Sequence, residues 1–387
     1  MIIGVLKERM QDENRVALLP EQVQRLVNLG HTVYVEKTAG RRAGYEDQEY
    51  RGFGALVVDR NTIYQESELI LKVKRPLEEE YKFYRPGQVL FTYLHFDENI
   101  EPEKIQQIVD TGITGIAYEW VEEDGKFPLL WPMSELAGVL FARRSMDLLM
   151  IHQGVLGGKY IMEEPAARAM VVGVGHIGAN VINVFLMNGL EVVIVDKHPE
   201  TVDARILKYV DAHLWRERSG HIQIIRFDEN EPDASVDKIK KVLPEIDILI
   251  CAAVRRPNLP KEKCEFLVDR DGIRGMKKNS VVCDATACDK DFIETCISSD
   301  SLTDTYIEEG VVHYNCDHIP SLVPRTASRM LANATFPYVL KLSEGFEKAV
   351  AENIPIKKGV MCHRYNFVHR YSAEKKKLNY VELESIL

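Results

Sequence analysis

The chain has 387 residues, enough for two domains, and its 45% hydrophobic and 28% charged residues are typical of an ordinary globular protein. The formal net charge of −10 is spread along the chain, which argues against a nucleic-acid partner or an anionic membrane surface. No apolar run reaches about 18 residues, and the first residues lack the long apolar core of a signal peptide. We therefore expect a cytoplasmic protein that contacts no membrane.

The cysteines are confined to one part of the chain. All seven lie between residues 251 and 362, without a C-x-x-C pair and without a Cys/His spacing typical of zinc sites. We therefore expect reduced thiols rather than a disulfide framework, and we expect no metal site.

The first 120 residues alternate between strand-like and helix-like patterns. Strands are expected at residues 2–6, 31–36, 55–58, 69–74, 88–95 and 115–119, and helices at residues 20–29, 48–53, 63–67 and 102–109. This alternation predicts an α/β fold with a parallel sheet and helices on both of its faces.

Three polar residues fall at the expected carboxyl ends of strands, where sheets of this kind bind ligands. Arg15 lies in the loop after the first strand, and Lys74 and His95 end two others. A guanidinium and an ammonium could clamp a carboxylate, and a histidine could move a proton near neutral pH. Each could equally be an ordinary loop or surface residue, so position alone leaves both interpretations open.

The most informative motif follows a long helical stretch at residues 134–152. An apolar run beginning at Ala169 leads into G-x-G-x-x-G, formed by Gly173, Gly175 and Gly178, and a helical pattern comes next. The first glycine allows a sharp turn, the second lets the backbone approach a pyrophosphate, and the third lets the helix pack closely on the strand. The helix N-terminus offers N–H groups to the phosphates. The motif therefore predicts a dinucleotide site.

Asp196 ends the next expected strand, 18 residues after Gly178. Dinucleotide sites of this type place an acidic residue about 20 residues on, where it accepts hydrogen bonds from the adenosine ribose. The charge of Asp196 would repel a 2′-phosphate, which favours NAD over NADP. Lys197 and His198 beside it weaken that preference.

Other residues are expected to contact the same cofactor. His176 and Ile177 lie inside the glycine turn, and Val254 lies at the end of a strand expected at residues 247–254. Residues 216–233 give no clear pattern. Further strands are expected at 280–284 and 311–314, and residues 324–352 are strongly helical, with a kink at Pro337.

The order of these patterns predicts a discontinuous outer domain. Residues 1–134 and 319–387 are expected to form a substrate-binding and catalytic domain, whose second part is helical. Residues 135–318 are expected to form an NAD-binding Rossmann domain between these two parts.

Several collinear stretches resemble the alanine dehydrogenase/pyridine nucleotide transhydrogenase family, along nearly the whole chain. They are NRVALLP from Asn14, LKVKRP from Leu71, GQVLFTYLH from Gly87, PLLWPMSELAG from Pro128, the GVGHIG turn, and VPRTASRMLANATFPYVLKL from Val323. The resemblance implies two Rossmann-like domains with a cleft between them, NAD as cofactor, and a dehydrogenase that converts a small amino acid to an oxo acid.

The resemblance also implies roles for single residues. Arg15 and Lys74 would bind the substrate carboxylate, and His95 would be the catalytic acid/base. Lys74 could instead act as the base itself, if burial lowers its pKa. Met133 falls at a substrate position and Ser134 at a cofactor position.

The chain departs from alanine dehydrogenases beside one expected strand. Those enzymes carry a second aspartate four residues beyond the counterpart of Asp284, where it handles the amine and the attacking water. This chain has Cys288 there, followed by Asp289. A one-residue bulge would bring Asp289 into the catalytic role.

A second departure is His318, which stands where alanine dehydrogenases have asparagine. Its surroundings, DHIPSLVPR from Asp317, resemble saccharopine dehydrogenases, which join an amino acid to an oxo acid, and give His318 a substrate role. Three hypotheses follow: an amino-acid dehydrogenase, an opine- or saccharopine-type reductase, and a non-catalytic NAD-binding regulator. The alanine dehydrogenase resemblance implies a homo-oligomer, whereas saccharopine dehydrogenases are often monomers.

Overall fold

The computed structural model describes residues 1–98, 100–254, 259–286 and 288–387. The chain forms two compact units: the first comprises residues 1–133 and 320–387, and the second comprises residues 134–319. These limits differ by one residue from the domain boundaries expected from the sequence. The roles assigned to the two domains, and the cleft expected between them, stay predictions.

The first 133 residues alternate strands with helices. In chain order these are β1 Ile2–Val5, α1 Pro20–Asn28, β2 Thr32–Glu36, α2 Asp47–Gly52, β3 Leu56–Val58, α3 Arg60–Glu66, β4 Leu69–Leu71, β5 Val89–Thr92, α4 Pro102–Val109 and β6 Thr114–Ala117. The sequence of α1 shows why a helix forms there: Pro20 suits the first helical turn, and the apolar Val23 and Leu26 face the core.

A long helix leads into the second unit. It is α5 Trp131–His152, and it is followed by β7 Arg168–Val172, α6 His176–Met187, β8 Glu191–Asp196, α7 Val202–Ile206, α8 Ala212–Glu217, β9 Ile222–Arg226, α9 Pro232–Val242, β10 Ile248–Cys251, α10 Arg270–Arg274, β11 Val281–Asp284, β12 Tyr306–Glu308 and β13 Val311–His313.

The chain then returns to the first unit. The last elements are α11 Pro324–Leu342, α12 Phe346–Glu352, α13 Ile354–Lys358, β14 Val360–His363, β15 Asn366–Phe367 and α14 Arg370–Lys376. Short 3-10 helices lie at Arg41–Ala43, Glu78–Phe83, Tyr118–Trp120, Pro199–Thr201, Ser219–His221, Leu243–Glu245, Ile319–Leu322 and Leu383–Ser385.

The sheet of the first unit has the strand order β15-β14-β6-β5-β4-β1-β2-β3. Strands β1 to β6 pair in parallel, whereas β14 pairs antiparallel with β6 and with β15. Because β1, β4 and β5 are successive neighbours, the loops after their carboxyl ends emerge side by side. This arrangement positions the polar residues of the first unit.

The sheet of the second unit has the strand order β12-β13-β11-β10-β7-β8-β9 and is parallel except for β12. Strand β7 lies between β8 and β10, so the chain order reverses there. A crevice at such a switch point, beyond the carboxyl ends of the strands, is where open α/β sheets bind ligands.

Apolar side chains cover both faces of the second sheet. Val171, Ile194 and Ile250 belong to the core on one face, and Val193 and Leu249 belong to the core on the other. Burial on both faces explains why these strands are nearly continuous apolar runs rather than alternating ones. Among the described residues, no helix is both long and apolar enough to cross a membrane.

The predicted α/β class with parallel sheets is confirmed. Two regions differ from expectation. The last part of the chain was expected to be helical, but it also contributes β14 and β15, whose brevity gives almost no periodic signal. The unassigned residues 216–233 contain β9, an edge strand in which only Ile225 is buried and the other four residues are exposed or half-buried.

Candidate active site

Three of the residues singled out from the sequence lie on neighbouring strands of the first sheet. Arg15 lies in the loop after β1, Lys74 lies shortly after β4, and His95 lies shortly after β5. Arg15 and Lys74 are buried, and His95 is half-buried. The fold therefore brings together, at one edge of a single sheet, three residues that are up to 80 positions apart in sequence.

Arg15 is held in place by a neighbouring carboxylate. Its Nε lies 2.7 Å from Oε1 of Glu13, and its second terminal nitrogen lies 2.5 Å from Oε2. The remaining terminal nitrogen lies 3.3 Å from the sulfur of Met133. Burial opposes the charge, but the Glu13 carboxylate raises the pKa of Arg15. These contacts use three of the five N–H groups of the guanidinium.

The loop that carries Arg15 is anchored by the last part of the chain. The Asn14 N–H donates to the Ser321 hydroxyl at 2.7 Å, and the Val16 N–H donates to the Ser328 hydroxyl at 2.9 Å. Two side chains some 300 residues away in sequence thus fix the backbone on both sides of Arg15. The VPRTAS stretch, which contains Ser328, therefore helps to position the loop that carries Arg15.

His95 has a strained backbone and two carboxylates beside it. Its φ is +52°, in the left-handed region that non-glycine residues rarely adopt. The Glu119 carboxylate accepts the backbone N–H groups of Leu94 and His95, the latter at 2.5 Å, and so holds this conformation. The ring Nδ1 lies 2.9 Å from the Glu98 carboxylate, and the ring stacks on Tyr93 with centroids 5.4 Å apart.

The charges around His95 act in opposite directions. Burial favours the neutral ring, but the carboxylates of Glu98 and Glu119 outweigh it and raise the pKa of His95. The ammonium of Lys74 lowers that pKa in part, which places Lys74 within electrostatic reach of the ring. The Thr92 hydroxyl donates to the Lys74 carbonyl at 3.0 Å and fixes the backbone there. The site therefore combines a titratable histidine with two buried cations.

In the second unit, the glycine turn has the geometry that a dinucleotide needs. Gly173 has φ +87°, and a Cβ on Gly178 would lie 1.9 Å from the Gly173 carbonyl oxygen, so the helix packs directly on the turn. A Cβ on Gly175 would meet nothing within 4 Å, because its α-carbon faces open space. These observations fit NAD, whose pyrophosphate would lie against Gly175 and the N-terminus of α6.

A cavity of about 500 Å³ opens beside this turn. Gly173, Gly175, Asp196 and Val254, which are predicted to contact the cofactor, line it. Val254 is 53% exposed. The charged residues Arg255 and Arg256, which the sequence places next, lie outside the described residues.

The other residues expected to contact the cofactor lie around α5 and α6. Ser134 is in the first turns of α5, and His176 and Ile177 begin α6. All three are neither fully buried nor fully exposed. His176 Nδ1 forms a hydrogen bond with the hydroxyl of Tyr209, which orients the ring. Their contacts with the cofactor stay predictions.

Asp196 is more tightly engaged than the sequence suggests. One carboxylate oxygen accepts the His198 N–H at 2.8 Å and an Arg205 N–H at 2.6 Å. The other accepts the Val174 N–H at 2.9 Å and a second Arg205 N–H at 3.0 Å. Although burial opposes ionisation, these donors hold the pKa of Asp196 below its ordinary value. Arg205 was not predicted from the sequence, which gave no signal for a partner nine residues on.

The segment after β11 contains Asp289, the residue expected to replace the second aspartate of alanine dehydrogenases. Asp289 is exposed, and its Oδ1 accepts the N–H and the hydroxyl of Ser298 at 2.7 and 2.6 Å. Asp284, in contrast, is buried: its Oδ1 accepts the N–H and the hydroxyl of Thr286, and among the described residues nothing bonds to its Oδ2. Burial raises the pKa of Asp284 to about 7.

His318 has a fully buried side chain whose Nδ1 lies 2.5 Å from the Asp317 carboxylate. With the exposed Asp300, these residues place possible ligand atoms within 4.8 Å of one another. The expectation of no metal site stays a prediction.

All seven cysteines are thiols, and all but Cys288 are buried.

Most of the chain matches one protein family. The family model described as alanine dehydrogenase/PNT, N-terminal domain, matches residues 4–137, and the model for the C-terminal domain matches residues 139–370. The chain belongs to the alanine dehydrogenase/PNT family. The family predicted from the sequence is therefore confirmed.

Individual relatives are similar over their full length. The chain is 35% identical to alanine dehydrogenases of Staphylococcus haemolyticus and Bacillus subtilis, covering 100% of this chain and 99% and 98% of theirs. A solved L-alanine dehydrogenase matches with TM-score 0.81 and 31% identity, covering 97% of this chain and 99% of that one. A transhydrogenase from Sinorhizobium meliloti, with TM-score 0.74 and 23% identity over 96% of this chain and 100% of that one, shares the fold.

The alanine dehydrogenases among these relatives establish the class of chemistry. The protein is an NAD-dependent oxidoreductase of the alanine dehydrogenase type. Its substrate and the roles of its residues are proposals.

Proposed function

We propose that the protein catalyses the reversible oxidative deamination of L-alanine, or of a similarly small L-amino acid, to the corresponding oxo acid. The observation that carries the proposal is the assembly of Arg15, Lys74 and His95 at adjacent strand ends of the first sheet. Alanine dehydrogenases among the full-length relatives support the choice of substrate.

In the proposed mechanism, the two cations hold the substrate carboxylate. The two remaining N–H groups of the Arg15 guanidinium would bind it, while Glu13 and Met133 keep the guanidinium in place, and the ammonium of Lys74 would add a second charge. Bound NAD would accept a hydride from the carbon that carries the amine. Fixing the carboxylate sets the position of that carbon and lowers the entropic cost of reaching the reactive geometry.

His95 would handle the proton that hydrolysis of the imine releases. In its neutral form the imidazole takes a proton from the water that attacks the imine carbon, and in the reverse direction the imidazolium returns it. Because Glu98 and Glu119 raise the pKa of His95, its imidazolium form persists to higher pH than that of an ordinary histidine. Asp289 is proposed as the carboxylate on the amine side, which would require it to exchange its hydrogen bonds with Ser298.

A second candidate is an opine- or saccharopine-type reductase, in which the amine comes from a second amino acid rather than from ammonia. The buried pair of Asp317 and His318 favours it, because alanine dehydrogenases have asparagine at the position of His318. A histidine held by a carboxylate could bind or protonate a larger amine substrate.

The deciding experiment follows NADH oxidation with a panel of oxo acids. Each is offered with ammonium alone, and with lysine, ornithine or glycine added. Turnover with pyruvate and ammonium is expected. Turnover only when a second amino acid is present would transfer the protein to the reductase class and give His318 its substrate role. NADH binding without turnover across the panel would favour the non-catalytic regulator.

We also propose that the protein acts in the cytoplasm as a homo-oligomer. None of the seven cysteines forms a disulfide, which supports the cytoplasmic location because that compartment keeps thiols reduced. Light scattering at micromolar protein concentration tests the assembly, and a monomeric mass would contradict it.

A further inference from the structure

The last part of the chain packs on the loop that follows β5, and this loop carries Glu98. Phe96 of the loop is fully buried, and its ring centroid lies 6.0 Å from that of Phe367 on β15. Phe96, Ile100, Phe367 and Ala373 of α14 belong to one apolar core. The segment from β15 to the end of α14 therefore supports a loop that lies far earlier in the sequence.

One lysine of α14 is joined to the backbone of this loop at two points. The ammonium of Lys376 donates to the carbonyl of Glu98 and, at 2.8 Å, to the carbonyl of Ile100. The Glu98 N–H donates in turn to the His95 carbonyl at 3.1 Å. Lys376 therefore holds the backbone of the residue whose carboxylate lies 2.9 Å from the ring Nδ1 of His95.

Further contacts join the same parts of the chain. Lys375 pairs with the carboxylate of Asp97 at 3.6 Å, and the Trp120 Nε1–H donates to that carboxylate at 3.3 Å. The Trp120 ring also contacts the ring of His369, with centroids 4.4 Å apart. Trp120 directly follows Glu119, the second carboxylate of the site. The region around α14 thus contacts both segments that carry these carboxylates.

The charges around His95 fix the sign of what losing the Glu98 contact would do. Burial lowers the pKa of His95, and the carboxylates of Glu98 and Glu119 raise it. The ammonium of Lys74 lowers it in part. A Glu98 carboxylate that moved away from the ring would therefore leave His95 with a lower pKa.

The charge of Lys376 itself would act in the opposite direction. The charged groups that face this ammonium are Lys375, Glu101, Asp97 and Glu98. Burial and the charge of Lys375 lower the pKa of Lys376, and the three carboxylates raise it. Because a nearby cation opposes protonation of a histidine, loss of the Lys376 charge alone would raise the pKa of the ring. A positioning effect and a charge effect therefore differ in sign.

We propose that Lys376 is a positioning residue, which holds the backbone at Glu98 and so keeps the Glu98 carboxylate against the His95 ring. The last part of the chain thereby acts on proton transfer without touching the substrate. The inference rests on the proposed function, because it gives His95 the proton of the reaction. The contact between the ring and the carboxylate can nevertheless be tested without turnover.

The test measures the protonation of His95 directly. The full chain is treated with diethyl pyrocarbonate, which reacts with neutral imidazole, and mass spectrometry quantifies the labelled His95 peptide between about pH 5 and about pH 9. The midpoint of the rate against pH reports the pKa of the ring. Lys376→Met should move it to lower pH by about half a pH unit or more, in the same direction as Glu98→Gln. An unchanged or raised midpoint would overturn the proposal.

A double variant shows whether Lys376 acts through Glu98. In the Glu98→Gln background, Lys376→Met should not lower the midpoint further, because the carboxylate that Lys376 positions is already gone. Equal falls in both backgrounds would contradict the proposal. Lys376→Arg, which can still donate to both carbonyl groups, should keep the midpoint of the unaltered protein.

The matched control is Lys377→Met. Lys377 is an exposed lysine directly after α14, so its replacement removes the same charge from the same region. The midpoint should match that of the unaltered protein, and a fall equal to that of Lys376→Met would contradict a role for the loop contact. Thermal melts check folding. If Lys376→Met does not fold, Lys376→Gln takes its place and should lower the midpoint by a smaller amount.

Turnover separates this inference from the proposed function. If the panel of oxo acids gives turnover, the acidic limb of kcat/KM for amino-acid oxidation should follow the labelling midpoint in each variant. A lowered midpoint in a protein that turns over no substrate of the panel would contradict the proposed function and support the positioning role. An unchanged midpoint with normal turnover would contradict the positioning role alone.

Discussion

The two units build their sites by different means. In the second unit, the turn of Gly173, Gly175 and Gly178 offers backbone groups, and its geometry depends on what is missing from the side chains. In the first unit, the proposed site consists of side chains, and a carboxylate lies beside both Arg15 and His95. In a site built from backbone groups, few positions tolerate substitution. In a site built from side chains, the charge and position of each group can be changed by substituting a single neighbouring residue.

Replacing His95, the proposed proton carrier, should have the largest effect and would test the side-chain site of the first unit. His95→Gln should lower turnover by about 10² to 10⁴-fold, because general acid/base catalysis contributes that much. NADH binding should stay nearly unchanged, since the residue lies in the first unit and the nucleotide cavity in the second. Steady-state rates and fluorescence titration measure the two effects, and unchanged turnover would remove His95 from the mechanism.

Adding a side chain at Gly178, where the helix packs against the glycine turn, should disrupt the backbone site of the second unit. A Cβ on Gly178 meets the Gly173 carbonyl oxygen, so Gly178→Ala should destabilise the second unit by about 1–3 kcal/mol and weaken NADH binding. Denaturant titration and NADH fluorescence check this. The control is Gly220→Ala, where a Cβ meets nothing within 4 Å; equal behaviour of the two variants would contradict the tight packing.

The carboxylate on the amine side gives a smaller, sharper test. If Asp289 has taken over the family's aspartate role, Asp289→Asn should lower turnover at least about tenfold, whereas Cys288→Ala should have little effect. The reverse ranking would assign the role to the position of Cys288. Because Asp289 also holds Ser298, a thermal melt of each variant separates a catalytic effect from a structural one.

The smallest expected effect is a shift of a pH profile. Glu98 raises the pKa of His95, so Glu98→Gln should lower it. Amino-acid oxidation needs the neutral ring, so the acidic limb of kcat/KM should move to lower pH. Reduction of the oxo acid needs the protonated ring, so its alkaline limb should move to lower pH as well.

Glu79→Gln provides the control for this shift, since Glu79 is an exposed glutamate of the same unit. Its profile should match that of the unaltered protein. Equal profiles for all three proteins would show that Glu98 does not set the protonation of His95 during turnover.

The sequence predicted the backbone site better than the side-chain site, for a physical reason. The G-x-G-x-x-G turn requires glycine at fixed positions, so its geometry is visible in the spacing. Arg15, Lys74 and His95 could be located only as strand ends, and their roles came from the family resemblance. Contacts made through folding, such as that of Ser328 with the Val16 N–H, leave no local pattern.

The same limit explains which partners were missed. Arg205 lies on α7, nine residues after Asp196, and nothing in the helical pattern distinguishes an arginine that folds back from one in solvent. Glu98 lies in a charged loop where a carboxylate is unremarkable by composition. Only the structure shows that each faces a residue of the site.

The buried carboxyl group of Asp284 couples proton uptake to folding. In the unfolded chain it would release its proton near pH 3.8, but in the folded protein it keeps that proton up to about pH 7. Folding is therefore favoured by this group below pH 3.8, and the advantage is lost as the pH rises towards 7, by up to about 4 kcal/mol in total. The second unit thus carries an internal acid whose contribution to stability is lost by about pH 7, and a bound cofactor would offset that loss by mass action.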